Sequence, residues 1–253
     1  ERSLKTPLTS NPAEDHRPVW SPDSLRVAFG SARDSGNQDA LYEKRADGAT
    51  PEQPVLNPEP GMTYGMLDWT SDYILFSRGK NHAEDIWVLP RDRKPFSYLT
   101  GIGPTNAALS PNGRWLAYVA HEGGTSQLVV RSFPDPSKSR QQVSSTGGAF
   151  PLWRRDGREL FYLDSNWRMM AVPVGPDGSV DVGKSSALFT APGYPLGPRT
   201  LGYTYGVSPD GQRFLFTAVP GVLDSSAPIT VVVNWSALLR DARTGDNRRV
   251  RDR

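Results

Sequence analysis

The sequence predicts an all-β protein, namely a β-propeller of four-stranded antiparallel blades. Two observations support this prediction: one short motif recurs five times, and apolar runs of strand length follow each copy. The apolar residue that precedes each turn recurs at intervals of about 40 to 55 residues, the period of propeller blades. These anchor residues are Trp20, Trp69, Leu109, Trp153 and Val207. Five blades are therefore visible in the chain.

Each copy of the motif has the composition of a tight turn. The copies occupy residues 19–24, 68–72, 108–113, 152–157 and 206–211. Proline pre-sets φ at the second turn position, Asp or Asn bonds back to its own backbone, and glycine accepts a positive φ. Each turn therefore ends one strand and starts the next.

The other strands follow each turn in a fixed order. Runs rich in β-branched and aromatic residues predict second strands at 25–29, 73–76, 115–119, 160–163 and 214–217. Third strands are predicted at 40–43, 86–89, 128–133, 169–174 and 229–235, and short outer strands at 53–56, 96–100, 141–144 and 187–190. The fifth unit lacks an outer strand. Residues 4–9, which resemble residues 96–100, are predicted to complete its sheet and leave no open edge.

These elements place residues 4–239 in one propeller domain. Its repeats span 10–57, 58–100, 101–145, 146–191 and 192–239, with the closing strand at 4–9. The Arg-rich tail at 240–253 is predicted to be disordered. The alternative is a truncated six-bladed ring, in which residues 4–9 are the outer strand of a lost blade. In either ring, Trp20, Trp69 and Trp153 are expected to pack between blades.

The composition argues against several classes of partner. Lys and Arg number 29 and Asp and Glu 27, so the net charge of +2 gives no field that would attract nucleic acid. The chain has no cysteine, which excludes disulfides and thiolate metal sites. No apolar run is long enough to span a bilayer, so membrane insertion by this chain is not expected.

The repeats resemble those of a known family. Residues 20–29, 109–118 and 207–216 are similar to the repeats of TolB-like (WD40-like) propellers, and the likeness extends over most of the chain. More narrowly, residues 91–96, 153–162 and 228–236 resemble the C-terminal propeller of bacterial serine/threonine protein kinases.

The kinase resemblance implies a location and a larger protein. In that family a cytoplasmic kinase domain is often joined through a membrane segment to a propeller on the outer side, which implies a periplasmic or extracytoplasmic location. The chain itself has no glycine-rich phosphate loop, no Val-Ala-Ile-Lys strand, no His-Arg-Asp loop and no Asp-Phe-Gly. Kinase activity is therefore not carried over to any residue here.

The sequence also lacks the parts of the common catalytic sites. No Gly-x-Ser-x-Gly occurs, and the three histidines belong to different repeats without the spacing of a zinc site. We therefore expect no catalytic residue, metal or cofactor, and predict a binding or sensing propeller. Two alternatives stay open: a sensor or scaffold fragment of a kinase, and a propeller lyase or glycosidase that uses Asp15, Glu84 or Glu122 as paired carboxylates.

The candidate binding residues follow from the blade topology. Loops before the inner strands and loops between second and third strands open on the same face of a propeller, at the mouth of its channel, where rigid blades hold variable loops. A protein, peptide or small ligand is expected to bind there. The candidate residues are Asp15, His16, Arg17, Tyr64, Arg78, His82, Glu84, His121, Glu122 and Tyr203.

Overall fold

The repeated turn starts the second strand of each sheet, and its hydrogen bonds show why these residue types recur. In the third copy, the Ser110 hydroxyl accepts a hydrogen bond from the Trp115 amide (3.0 Å), and the Asn112 side-chain oxygen accepts one from the Arg114 amide (3.0 Å). Gly113 closes the turn with a φ of 65°. Ser208 and Asp210 repeat this arrangement in the fifth copy.

The computed structural model describes residues 7–34, 38–80, 83–103, 106–122, 124–175, 180–181, 184–191, 205–216 and 232–233. Within these residues there is no α-helix, and therefore no helix that could cross a membrane. The all-β prediction is confirmed.

The strands form antiparallel sheets in which each strand pairs with the next one along the chain. Blade 1 contains β1 (Asp15–Trp20), β2 (Arg26–Asp34), β3 (Gln38–Arg45) and β4 (Gln53–Pro54). Blade 2 contains β5 (Thr63–Trp69), β6 (Tyr73–Lys80), β7 (Ala83–Pro90) and β8 (Phe96–Leu99). Blade 3 contains β9 (Ala107–Leu109), β10 (Trp115–Glu122), β11 (Thr125–Ser132) and β12 (Arg140–Gln142). Blade 4 contains β13 (Ala149–Trp153), β14 (Glu159–Leu163), β15 (Arg168–Pro173) and β16 (Ser186–Thr190).

A further sheet, blade 5, is described by three strands. These are β17 (Tyr205–Val207), β18 (Arg213–Phe216) and β19 (Val232–Val233). Four predicted four-stranded blades are thus confirmed, and the fifth is described in part. Most of the predicted closing strand at 4–9 and all of the tail at 240–253 lie outside the described residues.

Apolar clusters join each blade to the next. The cluster between blades 2 and 3 contains Leu75, Ile86 and Leu116, and the others are built in the same way. Hydrogen bonds also cross these interfaces: the Trp153 indole donates to the Ala108 carbonyl (3.0 Å), and the Tyr205 hydroxyl donates to the Phe150 carbonyl (2.7 Å). The blades therefore pack face to face around a common centre, as in a propeller.

The tryptophan anchors do not all share one environment. Trp69 and Trp153 pack in the clusters formed with the preceding blade, as predicted. Trp20 is largely exposed, so its predicted position between blades is wrong. The reason is that no sheet precedes blade 1 among the described residues, and the anchor packs against the blade before its own.

The hairpin register fixes which loops share an end of the propeller. Asp15 at the start of β1 pairs with Ser31, and Glu122 at the end of β10 pairs with Thr125 at the start of β11. The starts of the inner strands and the hairpins between second and third strands therefore lie at one end, which we call the hairpin end. The repeated turns lie at the opposite end, the turn end.

Candidate functional site

Blades 1 and 2 supply most of the predicted binding residues at the hairpin end. Six of them lie in β1, β5, β6 and β7, namely Asp15, His16, Arg17, Tyr64, Arg78 and Glu84. His121 and Glu122 lie at the hairpin of blade 3. His82 and Tyr203 fall outside the described residues.

Arg17 bridges blade 1 to blade 2. It lies in a β-bulge between His16 and Val19 and has a φ of 51°, a left-handed conformation that redirects its side chain. Its Nη1 atom lies 3.1 Å from the Ser77 hydroxyl and 3.5 Å from Oε2 of Glu84. The guanidinium occupies the space that a side chain at Gly65 would need, because a Cβ atom there would lie 2.6 Å from Nη1.

The Arg17–Glu84 pair is buried but incompletely bonded. The side chains expose only 7% and 14% of their surface. Nε of Arg17 and Oε2 of Glu84 are buried without a hydrogen-bond partner in the part of the chain that the structure describes. Buried polar groups are rarely left unpaired in proteins, and here the described residues satisfy the pair only in part.

Arg78 forms a second polar group on the other face of blade 2. Because side chains alternate along strands, Arg78 and Trp87 share the face of Phe76 that packs on blade 1, whereas Glu84 lies on the opposite face. The Arg78 guanidinium lies 4.3 Å from the Trp87 ring centre and donates a hydrogen bond to Glu59. Nε of Arg78 and Nε1 of Trp87 have no described hydrogen-bond partner.

His16 packs on a glycine of its own blade. A Cβ atom on Gly30 would lie 2.4 Å from Cε1 of the imidazole, so the ring occupies the place of a side chain there. Nε2 lies 3.4 Å from Oδ2 of Asp39, and Nδ1 is buried without a hydrogen bond to any described residue. Glycine in the middle of an apolar strand thus marks the approach of a polar side chain.

Asp15 is held as a carboxylate by its partners. Burial opposes its ionisation, but hydrogen bonds with Thr9, Ser31 and Arg33 outweigh burial and keep the pKa of Asp15 below its ordinary value. Nη2 of Arg33 lies 3.1 Å from Oδ1 of Asp15. Asp15 is thus paired with Arg33, and Glu84 with Arg17.

Tyr64 and His121 have different surroundings from these groups. Tyr64 is a core residue whose ring packs against Phe76, while its hydroxyl accepts a hydrogen bond from the Glu59 amide (3.0 Å). His121 is exposed, and its Nδ1 lies 3.0 Å from the Ser126 hydroxyl of the same hairpin. Among the residues that the structure describes, no three His, Asp or Glu side chains are grouped so as to hold a metal ion.

A surface cavity of about 380 Å³ lies elsewhere, at the turn end of blade 1. Its charged lining residues are largely paired, as in Arg26 with Glu43 (3.1 Å) and Arg45 with Asp47 (2.6 Å). Buried polar atoms without a described partner occur at both ends, including Trp115 and Arg154 near the turn end. The hairpin end is the better candidate site because it holds most of the predicted binding residues and the buried Arg17–Glu84 pair.

Comparison with known proteins bears on the fold. The chain matches no protein-family model and no curated protein sequence. Among solved structures, TolB from Acinetobacter baumannii is similar with a TM-score of 0.63 and 16% identity, over 85% of this chain and 51% of that one. A TolB structure from Agrobacterium tumefaciens, described as putative, matches with a TM-score of 0.54 and 16% identity, over 68% of this chain and 64% of that one. The fold is that of a TolB-like β-propeller.

The TolB-like fold is shared with enzymes. An oligogalacturonate lyase in complex with manganese matches with a TM-score of 0.55 and 13% identity, over 83% of this chain and 63% of that one. This chain spans about half of the Acinetobacter TolB chain and just under two thirds of the other two. Function must therefore be argued from the site of this TolB-like propeller, since one fold serves many functions.

Sequence reasoning missed the partners that organise the site. These are Asp39, Glu59, Ser77 and Trp87. Two signals could have indicated them: Gly30 and Gly65 each interrupt an apolar strand, and such glycines often mark a close approach by another group.

Proposed function

We propose that this chain is a non-catalytic binding or sensing module that recognises a protein, peptide or small ligand at the hairpin end. One comparison between its own repeats carries the proposal. The bulge of β1 and the bulge of β13 have the same form, with φ of 51° at Arg17 and 56° at Phe150, each followed by a proline. Blade 4 places the apolar Phe150 at this position, and blade 1 places a charged residue.

The fold does not require a charge at this bulge. Phe150 packs in the apolar cluster between blades 4 and 5. A buried ion pair generally stabilises a fold no better than apolar residues of similar volume. Arg17 and Glu84, with their unpaired atoms, are therefore best explained by recognition of a polar group at the hairpin end.

A pull-down with the immobilised chain, from a lysate of its source, tests this proposal. The informative variant combines Arg17→Phe, which copies blade 4, with Glu84→Gln, so that no buried charge is left alone. The control is Arg158→Ala at the turn end, whose side chain is 80% exposed. We expect the double variant to lose the proteins that the wild type and the control retain.

Thermal unfolding followed by circular dichroism establishes that all three proteins are folded before the pull-down. Capture of the same proteins by the double variant, or capture of nothing by the wild type, would refute binding of a protein at the hairpin end. A small ligand is then sought by measuring the quenching of the chain's tryptophan fluorescence with a metabolite extract, again against the double variant.

The ion pairs of Asp15 and Glu84 bear on the alternative that this propeller is a lyase or glycosidase. A lyase or glycosidase of this shape needs two carboxylates about 5 to 10 Å apart that can exchange protons. Asp15 and Glu84 are instead paired with separate arginines. This arrangement favours binding over catalysis by these two carboxylates. The kinase-fragment reading and the extracytoplasmic location rest on the sequence resemblance, and a kinase reading frame joined upstream would support both.

A further inference from the structure

The repeated turns form a continuous surface at the turn end of the propeller. A Cβ atom on Gly157 would lie 3.9 Å from Cδ of Pro111, so the turns of blades 4 and 3 are in contact. On the other side of blade 3, the Tyr73 ring of blade 2 packs edge-on against Phe133 (5.0 Å), whose amide donates a hydrogen bond to the Arg114 carbonyl (2.8 Å). The backbones of these three turns are therefore held at fixed positions relative to one another.

This surface carries cations that no ion pair neutralises. Five exposed cationic side chains of blades 2 to 4 lie there, and none has an ion-pair partner among the residues that the structure describes. They are Arg91, Arg93, Lys94, Arg114 and Arg155. The exposed carboxylates without a described ion pair in the same region are Asp72 and Asp92. The turn end of these blades therefore has an excess of accessible positive charge, although the net charge of the whole chain is small.

One of these cations departs from the pattern of the repeat. Blades 1, 3 and 5 place a proline at the second turn position, namely Pro22, Pro111 and Pro209, and proline pre-sets the φ that the turn requires. Blade 4 places Arg155 there, where its side chain is exposed and forms no described ion pair. A residue that breaks a local rule without a compensating contact is a candidate functional residue. The charge at this position is therefore not explained by the fold.

The arrangement of the cations favours a flat anionic partner. They lie on the turns and loops of three blades, and none of them lines the cavity at the turn end of blade 1. Leu25 occupies the position of blade 1 that is equivalent to Arg114, and it is 53% exposed. Its neighbour Arg26 reaches over the Trp69 ring of blade 2 (5.4 Å), so this apolar side chain adjoins the basic surface. Peripheral membrane surfaces combine basic side chains with exposed apolar ones, whereas an acidic peptide would account for the charges alone.

We propose that the turn end of blades 1 to 4 is a docking surface for a bilayer that contains anionic lipids. The cations attract the lipid headgroups, and Leu25 enters the interfacial region. The contact is peripheral, because only turns and loops take part in it. The hairpin end faces in the opposite direction and stays accessible in this orientation, so the proposal does not depend on the function of the hairpin end.

Co-sedimentation of the whole chain with lipid vesicles tests the proposal. The vesicles contain phosphatidylcholine alone, or phosphatidylcholine and phosphatidylglycerol in equal amounts. We expect binding to the anionic vesicles only, and we expect it to weaken as salt is added, because salt screens exposed charges. Arg114→Glu and Arg155→Glu should each weaken binding by about fivefold or more, since one Lys or Arg near an anionic bilayer contributes about that factor. Circular dichroism melting establishes first that each variant is folded.

Lys80→Glu is the matched control. Lys80 is an exposed cation at the hairpin end, so this variant changes the net charge by the same amount at the opposite end and should bind nearly as the wild type does. Asp92→Lys should strengthen binding by a similar factor, and misfolding cannot produce such a gain. Equal losses in Lys80→Glu and the turn-end variants, or no binding to the anionic vesicles, would overturn the proposal. Capture of the chain by immobilised polyglutamate without binding to vesicles would overturn it in favour of an acidic protein.

Discussion

At the scale of single residues, the Arg17–Glu84 pair illustrates how burial changes what an ion pair contributes to stability. Both side chains are mostly buried, so each loses hydration that the other helps to restore. By contrast, Arg45 and Asp47 form an ion pair that is nearly half exposed, and such a pair contributes little. Removing one partner should therefore have very different consequences at the two sites.

Arg17→Met should destabilise the protein by about 3 to 5 kcal/mol, because it leaves the Glu84 carboxylate buried without a counter-charge. Adding Glu84→Gln should restore most of that loss. Chemical denaturation of the single and double variants measures both effects, with Arg45→Met as the exposed control. If the single and double variants unfold at the same denaturant concentration, the two charges are not coupled.

Asp68 gives a second prediction at the residue scale. Its carboxylate accepts hydrogen bonds from the amides of Leu109 (2.7 Å) and Trp69 (2.8 Å), which links blade 2 to blade 3. Burial raises the pKa of Asp68 to about 6 from an ordinary 3.8, against the effect of these hydrogen bonds. The equivalent positions of the other repeats carry Val19, Ala108, Leu152 and Gly206.

The raised pKa of Asp68 determines how the free energy of unfolding changes with pH. Between pH 4 and pH 6 the folded state binds the Asp68 proton and the unfolded state releases it, so this group lowers the free energy of unfolding as the pH rises through that window. The effect is at most about 3 kcal/mol. Denaturation at a series of pH values should show this slope in the wild type and a smaller slope in Asp68→Asn. Identical slopes would show that Asp68 does not titrate in this window.

At the scale of elements, the repeated turn adopts one backbone conformation with different residues. Gly113, Gly157 and Gly211 have φ between 65° and 73°, and Ser24 adopts 59° at the same position of blade 1. A left-handed φ costs a residue with a Cβ atom roughly 1 to 2 kcal/mol. Blade 1 therefore carries strain that the turns of blades 3, 4 and 5 avoid with glycine.

Opposite substitutions at this position should have opposite effects. Ser24→Gly should stabilise the protein, and Gly113→Ala should destabilise it, each by about 1 kcal/mol. A Cβ atom on Gly113 meets no atom within 4 Å, so its cost comes from the backbone alone. Thermal unfolding of the two variants measures the difference, and a shift of the same sign in both would contradict this account of the turn.

The elements also show what the sequence could predict. The turns and apolar runs are local signals, and they located the second strands of blades 1 to 4. The second strands of blades 1 to 3 were predicted too short: β10 extends to Glu122 rather than ending at residue 119, because the polar residues near a hairpin carry no apolar signal. The Arg17–Glu84 contact depends on a bulge and on packing between blades, neither of which a single sequence shows.

At the scale of the whole molecule, stability is distributed as in other repeat proteins, where each unit is stabilised mainly by its neighbours. Blade 3 has an apolar cluster on each face, with Leu116 on one side and Ala117 on the other. Blade 5 has a described cluster on one face only, where Phe161 packs edge-on against Phe214 (5.1 Å). Blade 1 also has a described cluster on one face only, so the series of blades should open from its two ends.

Hydrogen exchange shows directly which blades open first. Amides of β10 in blade 3 should exchange slowest, since their release requires separation from two neighbours, and amides of β18 in blade 5 should exchange markedly faster. The middle strand β14 of blade 4 is the internal control, because it lies between blades 3 and 5 and should be closer to β10 than to β18. Equal protection of β18 and β10 would mean that the fifth blade is already supported on both faces, so that the propeller closes without a further sheet.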